Sequence, residues 1–229
     1  MIQQTQVDEV LAHVDTVLGE PREWEPWPGG WPNEISTALV DAVFSARATY
    51  KTKYGHGVFE WVSRWREQNA NAVNDLKSLC REIESIGPDA WGKALGSEQH
   101  APRRNPNSPG GPTKTAAVCE AAHNLIEQDI NTAADIDTHE INSTKRAMKR
   151  VSGVGFATTN YFLMNLGKPG VKPDTMIHRF IKDATDERLS DARAAELIEA
   201  CAQVLGVKSH DLDYAIWGSE SSKAQGGRG

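Results

Sequence analysis

One carboxylate stands alone in the most basic stretch of this 229-residue chain. Residues 141 to 182 hold eight lysines and arginines and a single acid, Asp174, so the stretch carries +7 within a chain of net charge −6. Asp174 follows Lys172-Pro173 and precedes Ile177, Phe180 and Ile181 at helical spacing, which makes it the expected N-cap of a helix. The helix dipole at that position favours an ionised carboxylate. Such a group can hold the first-turn amides of its own helix, or it can stabilise positive charge developing on a bound substrate. The residues alone leave both roles open.

Upstream, Gly153-Val154-Gly155 supplies a different chemistry. A Gly-X-Gly turn that opens a helix presents backbone N–H groups outward and makes a site for one phosphate. Both glycines are expected in a turn that needs positive φ. Lys149, Arg150 and Ser152 flank the turn, and Lys172 lies in the loop beyond. The plainer alternative is a helix-turn-helix corner with a solvated basic face.

The elements that must position these residues are helical. Apolar periodicity predicts helices over 3–19, 33–50, 56–69, 71–86, 114–128, 143–151, 156–166, 190–205 and 209–219, with one more following Asp174 and a short turn around Trp91 and Leu95. Asn33 is the expected N-cap of the second, and Gly167 the left-handed stop after Leu166. Residues 20–32 form a loop rich in proline and glycine whose Trp24, Trp27 and Trp31 either plug the core edge or line a pocket. Residues 97–113 read as a mobile loop and 220–229 as a disordered tail. With no alternating strand pattern, the expectation is an all-α domain over 1–219 in two helical lobes.

The segment VSGVGFATTNYFLMNLGKPGVKPDTMIHRF resembles the helix-hairpin-helix, Gly/Pro-rich loop and aspartate of the HhH-GPD superfamily of base-excision DNA glycosylases. It is similar to the endonuclease III-like branch, with the hairpin motif at 143–166. The resemblance implies cleavage of an N-glycosidic bond after base flipping, with double-stranded DNA as partner and Asp174 as catalytic carboxylate. It implies phosphate contacts from Lys149, Arg150, Ser152, Gly153, Val154, Gly155 and Lys172. Ser45-Ala46-Arg47-Ala48-Thr49 resembles a helix ending that places Arg47 at the minor groove. Trp24 and Trp27 become candidates for stacking on the flipped base. Bifunctional members carry a lysine two residues after the Gly-X-Gly; here the residue is Ala157, which implies a monofunctional enzyme using water. The hairpin is also similar to ones that bind Na or K through backbone carbonyls, here those of Lys149, Val151 and Val154. A catalytically inactive DNA-binding module and an anti-phage glycosylase for a modified base are the other readings.

Composition narrows the field. Three scattered cysteines, Cys80, Cys119 and Cys201, suggest a reducing compartment and leave no set of four for an iron–sulfur cluster. The seven histidines show no ligand spacing, so no cofactor is expected beyond the hairpin ion. There is no apolar run long enough for a membrane span and no leader pattern, which points to a cytoplasmic monomer, nucleoid-associated if prokaryotic.

Overall fold

The computed structural model describes residues 2–50, 57–96, 112–138 and 141–226. Apart from Pro112 and Thr113, the expected loop at 97–113 lies outside the described residues. The helices are α1 (Gln4–Leu18), α2 (Ile35–Ser45), α3 (Val58–Gln68), α4 (Leu76–Ile86), α5 (Pro88–Leu95), α6 (Lys114–Ile126), α7 (Asp135–Thr138), α8 (Ile141–Lys149), α9 (Phe156–Asn165), α10 (Thr175–Thr185), α11 (Asp191–Leu205) and α12 (Ser209–Gly226). A 3-10 turn spans Pro21–Glu23, and no β-strand occurs among the described residues. The protein is all-α, and the chain divides into two compact units, 30–167 and 1–29 with 168–229.

In the unit of residues 30–167, α2 is the axis. Every residue from Ile35 to Ser45 is buried, as expected of a helix that is apolar nearly all round. It packs on α3, α6 and α9, while α4 and α5 pack on α6, and α8 on α6 and α9. Glu34, not Asn33, stands at its N-cap, without a side-chain cap. Its first amides are satisfied from elsewhere: Ser36 donates to the Val73 carbonyl at 2.9 Å and Ile35 to Asn74 Oδ1 at 3.3 Å. The helix stops at Ser45, short of the expected residue 50, because Ala46 is extended and Arg47 left-handed at φ 51°.

α4 starts at Leu76 rather than 71, where Asp75 accepts from the Ser78 amide at 2.7 Å. α7 is a single short turn of helix between α6 and α8.

The other unit is a cluster of α1, α10, α11 and α12, each touching the other three. Val7, Val10 and Val14 of α1 are buried, as are Ile177, Phe180 and Ile181 of α10. The expected tail at 220–229 is a correction: α12 continues through it to Gly226. The reason is Glu220, whose buried carboxylate pairs with Lys223 Nζ at 2.5 Å and Arg179 at 3.5 Å, giving a polar segment something to dock on.

Candidate functional site

The hairpin between α8 and α9 is held from below by apolar side chains. Val151 and Val154 are buried, while Ser152 and Gly155 are exposed. The Val154 amide donates to the Val151 carbonyl at 3.1 Å, closing the turn. Gly153 takes φ +87°, the left-handed conformation expected of it. Gly155 differs from expectation. Its φ is −98°, ordinary extended backbone at the N-cap of α9, and a Cβ there would meet nothing within 4 Å. The glycine leaves open space over the helix start, where the amides of the first turn have no intrahelical partner.

The cations around the turn are not equivalent. Lys149 Nζ lies over the Phe156 ring at 4.8 Å, a cation–π contact that keeps it beside the hairpin. Arg150 instead pairs with Glu127 at 3.5 Å, both side chains mostly exposed. Of the three carbonyls expected to hold a monovalent ion, that of Val151 accepts the Val154 amide.

Arg47 is exposed in the same unit, and its position is set by a residue the sequence reading passed over. Lys114, 1% exposed, donates through Nζ to the Phe44 carbonyl at 2.7 Å and the Ala46 carbonyl at 2.6 Å. A cation on the last carbonyls of a helix satisfies orphan acceptors and complements the dipole. Lys114 therefore fixes the end of α2 and the left-handed turn at Arg47.

Asp174 lies in the other unit. Its Oδ1 accepts from the Met176 amide at 2.8 Å, so it caps α10 as expected. Its own amide donates to the Lys172 carbonyl at 2.7 Å, a tight turn across Pro173. Asp174 remains part-exposed. Beside it, on the first turns of α12, is Asp213, 9% exposed. Burial pushes the Asp213 carboxyl well above the usual carboxylate range, and the negative charge of Asp174 pushes it further. The Lys172 ammonium, and a hydrogen bond donated by the Lys172 amide, pull the other way. Ser209 Oγ donates to the Gly170 carbonyl at 3.2 Å, clipping the loop before Asp174 to the start of α12. Lys172, expected among the phosphate contacts, is thus a neighbour of the two carboxyls. Two neighbouring carboxyls, one of them pushed up by burial, are an arrangement that can divide acid and base roles.

The two tryptophans do not share a place. Trp24 lines a cleft of ≈ 490 Å³ with Tyr214 and Trp217, whose rings stack at 5.8 Å, and its Nε1 donates to the Leu18 carbonyl. Neither Asp174 nor Asp213 lines that cleft. Trp27 packs on His210 at 5.2 Å between centroids, and its amide donates to Asp211. Burial pushes the His210 imidazole down, so a neutral ring meets Trp27 near neutral pH. Gln6, in the string Gln3-Gln4-Thr5-Gln6-Val7, is a buried structural residue: its Oε1 accepts from the Gln3 amide and its Nε2 donates to Glu187.

Asp213 and Lys114 are the residues missed from sequence. Each carried a signal, an acid inside an apolar stripe and a lysine just inside a Thr-capped helix.

A family model described as "Domain of unknown function (DUF8548)" matches residues 8–221. No curated protein matches the chain. Among solved structures, the 8-oxoguanine DNA glycosylase of Thermotoga maritima is similar at a TM-score of 0.49 and 14% identity, over 93% of this chain and 88% of that one. A likeness of that size carries nothing about substrate or chemistry.

Proposed function

We propose that the chain, which belongs to the family described as Domain of unknown function (DUF8548), is a monofunctional DNA N-glycosylase. The observation that carries the reading is the carboxyl pair, a part-exposed Asp174 capping α10 beside a buried Asp213 that favours its protonated form. The resemblance of the hairpin, loop and aspartate to HhH-GPD glycosylases supports it. In this reading the C1′–N bond of a flipped nucleotide breaks and its electron pair leaves with the base. The Asp174 carboxylate stabilises the oxocarbenium-like sugar and orients a water. That water adds to C1′, and its proton balances the departing base, so the products are an abasic site and the free base. Ala157 offers no amine for a Schiff base, and strand cleavage is not part of the reaction.

Phosphate is assigned to the amides at Gly153, Gly155 and the start of α9, with Lys149 beside them and Arg47 at the minor groove. The carbonyls of Lys149, Val151 and Val154 would hold a Na or K ion, which would supply positive charge for a DNA phosphate. No iron–sulfur cluster enters the reading.

The test is a panel of duplexes, each carrying one damaged, mispaired or modified base, incubated with protein and resolved with and without hot alkali. Breaks that need alkali and disappear with Asp174→Asn are expected, and the productive duplex names the base. Breaks without alkali would refute the water mechanism. Binding that is lost with Gly153 or Lys149 variants, with no base released from any duplex, would leave a non-catalytic DNA-binding module.

A further inference from the structure

α4 and α6 face each other with matching pairs of metal-ligating side chains. Cys80 and Glu84 are one helical turn apart on α4, and Cys119 and His123 one turn apart on α6. Cys80 Sγ, Cys119 Sγ and a ring nitrogen of His123 all lie within 4.8 Å of one another. His123 Nε2 is 3.2 Å from Glu84 Oε1. The cluster is closed at one end and open at the other: Cys80 is 5% exposed, whereas the side chains of His123 and Glu84 are 51% and 55% exposed. An ion has a path in, and its softest ligands are at the bottom.

We propose that Cys80, Cys119, His123 and Glu84 form a four-coordinate Zn²⁺ site that staples α4 to α6. Two sulfurs, an imidazole and a carboxylate are the ligand types that this borderline-soft ion takes in tetrahedral geometry. With Zn–S near ~2.3 Å and Zn–N near ~2.0 Å, the donor atoms would draw together by roughly 1 Å, within reach of side-chain rotation. Binding exchanges two thiol protons for the ion, two S–H bonds giving two Zn–S bonds and two released protons. Next to His123, Asn124 Nδ2 donates to the Ala147 carbonyl of α8 at 3.3 Å, so the staple would stiffen the support of the hairpin. The inference is independent of the reaction proposed above.

Full-length protein, reduced and stripped with a chelator, is titrated with Co²⁺ and then Zn²⁺. One equivalent of Co²⁺ is expected to give tetrahedral ligand-field bands and a thiolate charge-transfer band, both erased by one equivalent of Zn²⁺. Cys119→Ser should lose the charge-transfer intensity. His123→Ala, a change at an exposed position, should weaken Co²⁺ binding at least ~10-fold while helicity by circular dichroism is unchanged. Cys201→Ser should behave as wild type, since Cys201 is buried in the other unit with its thiol pushed up to about 12. The site is overturned if the reduced protein gives no thiolate–cobalt band, if His123→Ala binds with unchanged affinity, or if the band follows Cys201. Recovery of a Cys80–Cys119 disulfide that takes up no metal after reduction would overturn it equally.

Discussion

The hairpin unit and the carboxylate unit present their chemistry in opposite ways. At the hairpin the groups are backbone amides, and the side chains beneath them, Val151 and Val154, are buried and apolar. In the proposed function stability and function coincide there, because the packing that folds the turn would also aim the amides. At the carboxylate pair the groups are side chains, and one of them, Asp213, is buried at a cost. In the proposed function stability and function oppose each other there. A site made of backbone resists point mutation, whereas a site made of buried charge is weak in energy and open to change.

The largest effect that would sharpen this contrast is on catalysis. Asp174→Asn should reduce base release by about 10²-fold or more while duplex affinity in a gel-shift assay stays within about twofold. A parallel fall in affinity would erase the distinction between the units. Next come the two glycines. Gly153→Val places a β-branched residue at φ +87° and should cost about 1–3 kcal/mol in chemical denaturation, with duplex binding lost alongside. Gly155→Ala meets neither strain nor clash, so its denaturation midpoint should be unchanged. Its duplex affinity should still fall if phosphate approaches the start of α9.

Lys114→Met tests whether Arg47 depends on its support. Loss of both donated bonds should cost about 1–3 kcal/mol and raise hydrogen exchange at residues 44–48.

Asp213→Asn should stabilise the protein. Because its native pKa is raised above 3.8, the native state keeps a proton that the unfolded chain gives up. That contribution is fully present below pH 3.8 and is lost as pH rises through the native pKa. Asparagine cannot ionise, so the gap in Tm between variant and wild type should widen with pH, by ~2–4 °C per kcal/mol relieved. A gap constant across pH would mean that Asp213 is not the titrating group. The smallest effect belongs to Glu127→Gln. The exposed pair with Arg150 is worth under about 1 kcal/mol. The change should leave Tm within error and strengthen duplex binding slightly by freeing Arg150.

What could be read from sequence was whatever one short segment decides for itself. The Asp174 cap, the left-handed Gly153 and the stop at Gly167 each depend on a few adjacent residues, and each is where periodicity and capping put it. The all-helical fold followed from the same local signals. The misses involve partners far apart in the chain. α2 ends at Ser45 because Lys114 collects its last carbonyls, a contact across 70 residues. Asp213 reads as one more polar residue on α12 until Lys172 and Asp174 are brought beside it. The histidines showed no ligand spacing along the chain, and only the packing of α4 against α6 brings Cys80 and Glu84 to Cys119 and His123. Gly155 shows the reverse, since its composition suggested a need for positive φ that the turn meets at Gly153 alone.

One close contact bears on the order in which the chain acquires structure as it is made. Gly30 lies so near Asn165 that a Cβ would overlap that residue's backbone, and the Trp31 amide donates to the Asn165 carbonyl. The first and last residues of the 30–167 unit are therefore joined to each other, and the unit is complete once Gly167 has emerged. α1 is made first, yet its packing partners α10, α11 and α12 are made last. Stalled nascent chains just long enough for Gly167 to have emerged should protect α2–α9 from protease while α1 is still cut. During synthesis, α1 waits for α10, α11 and α12.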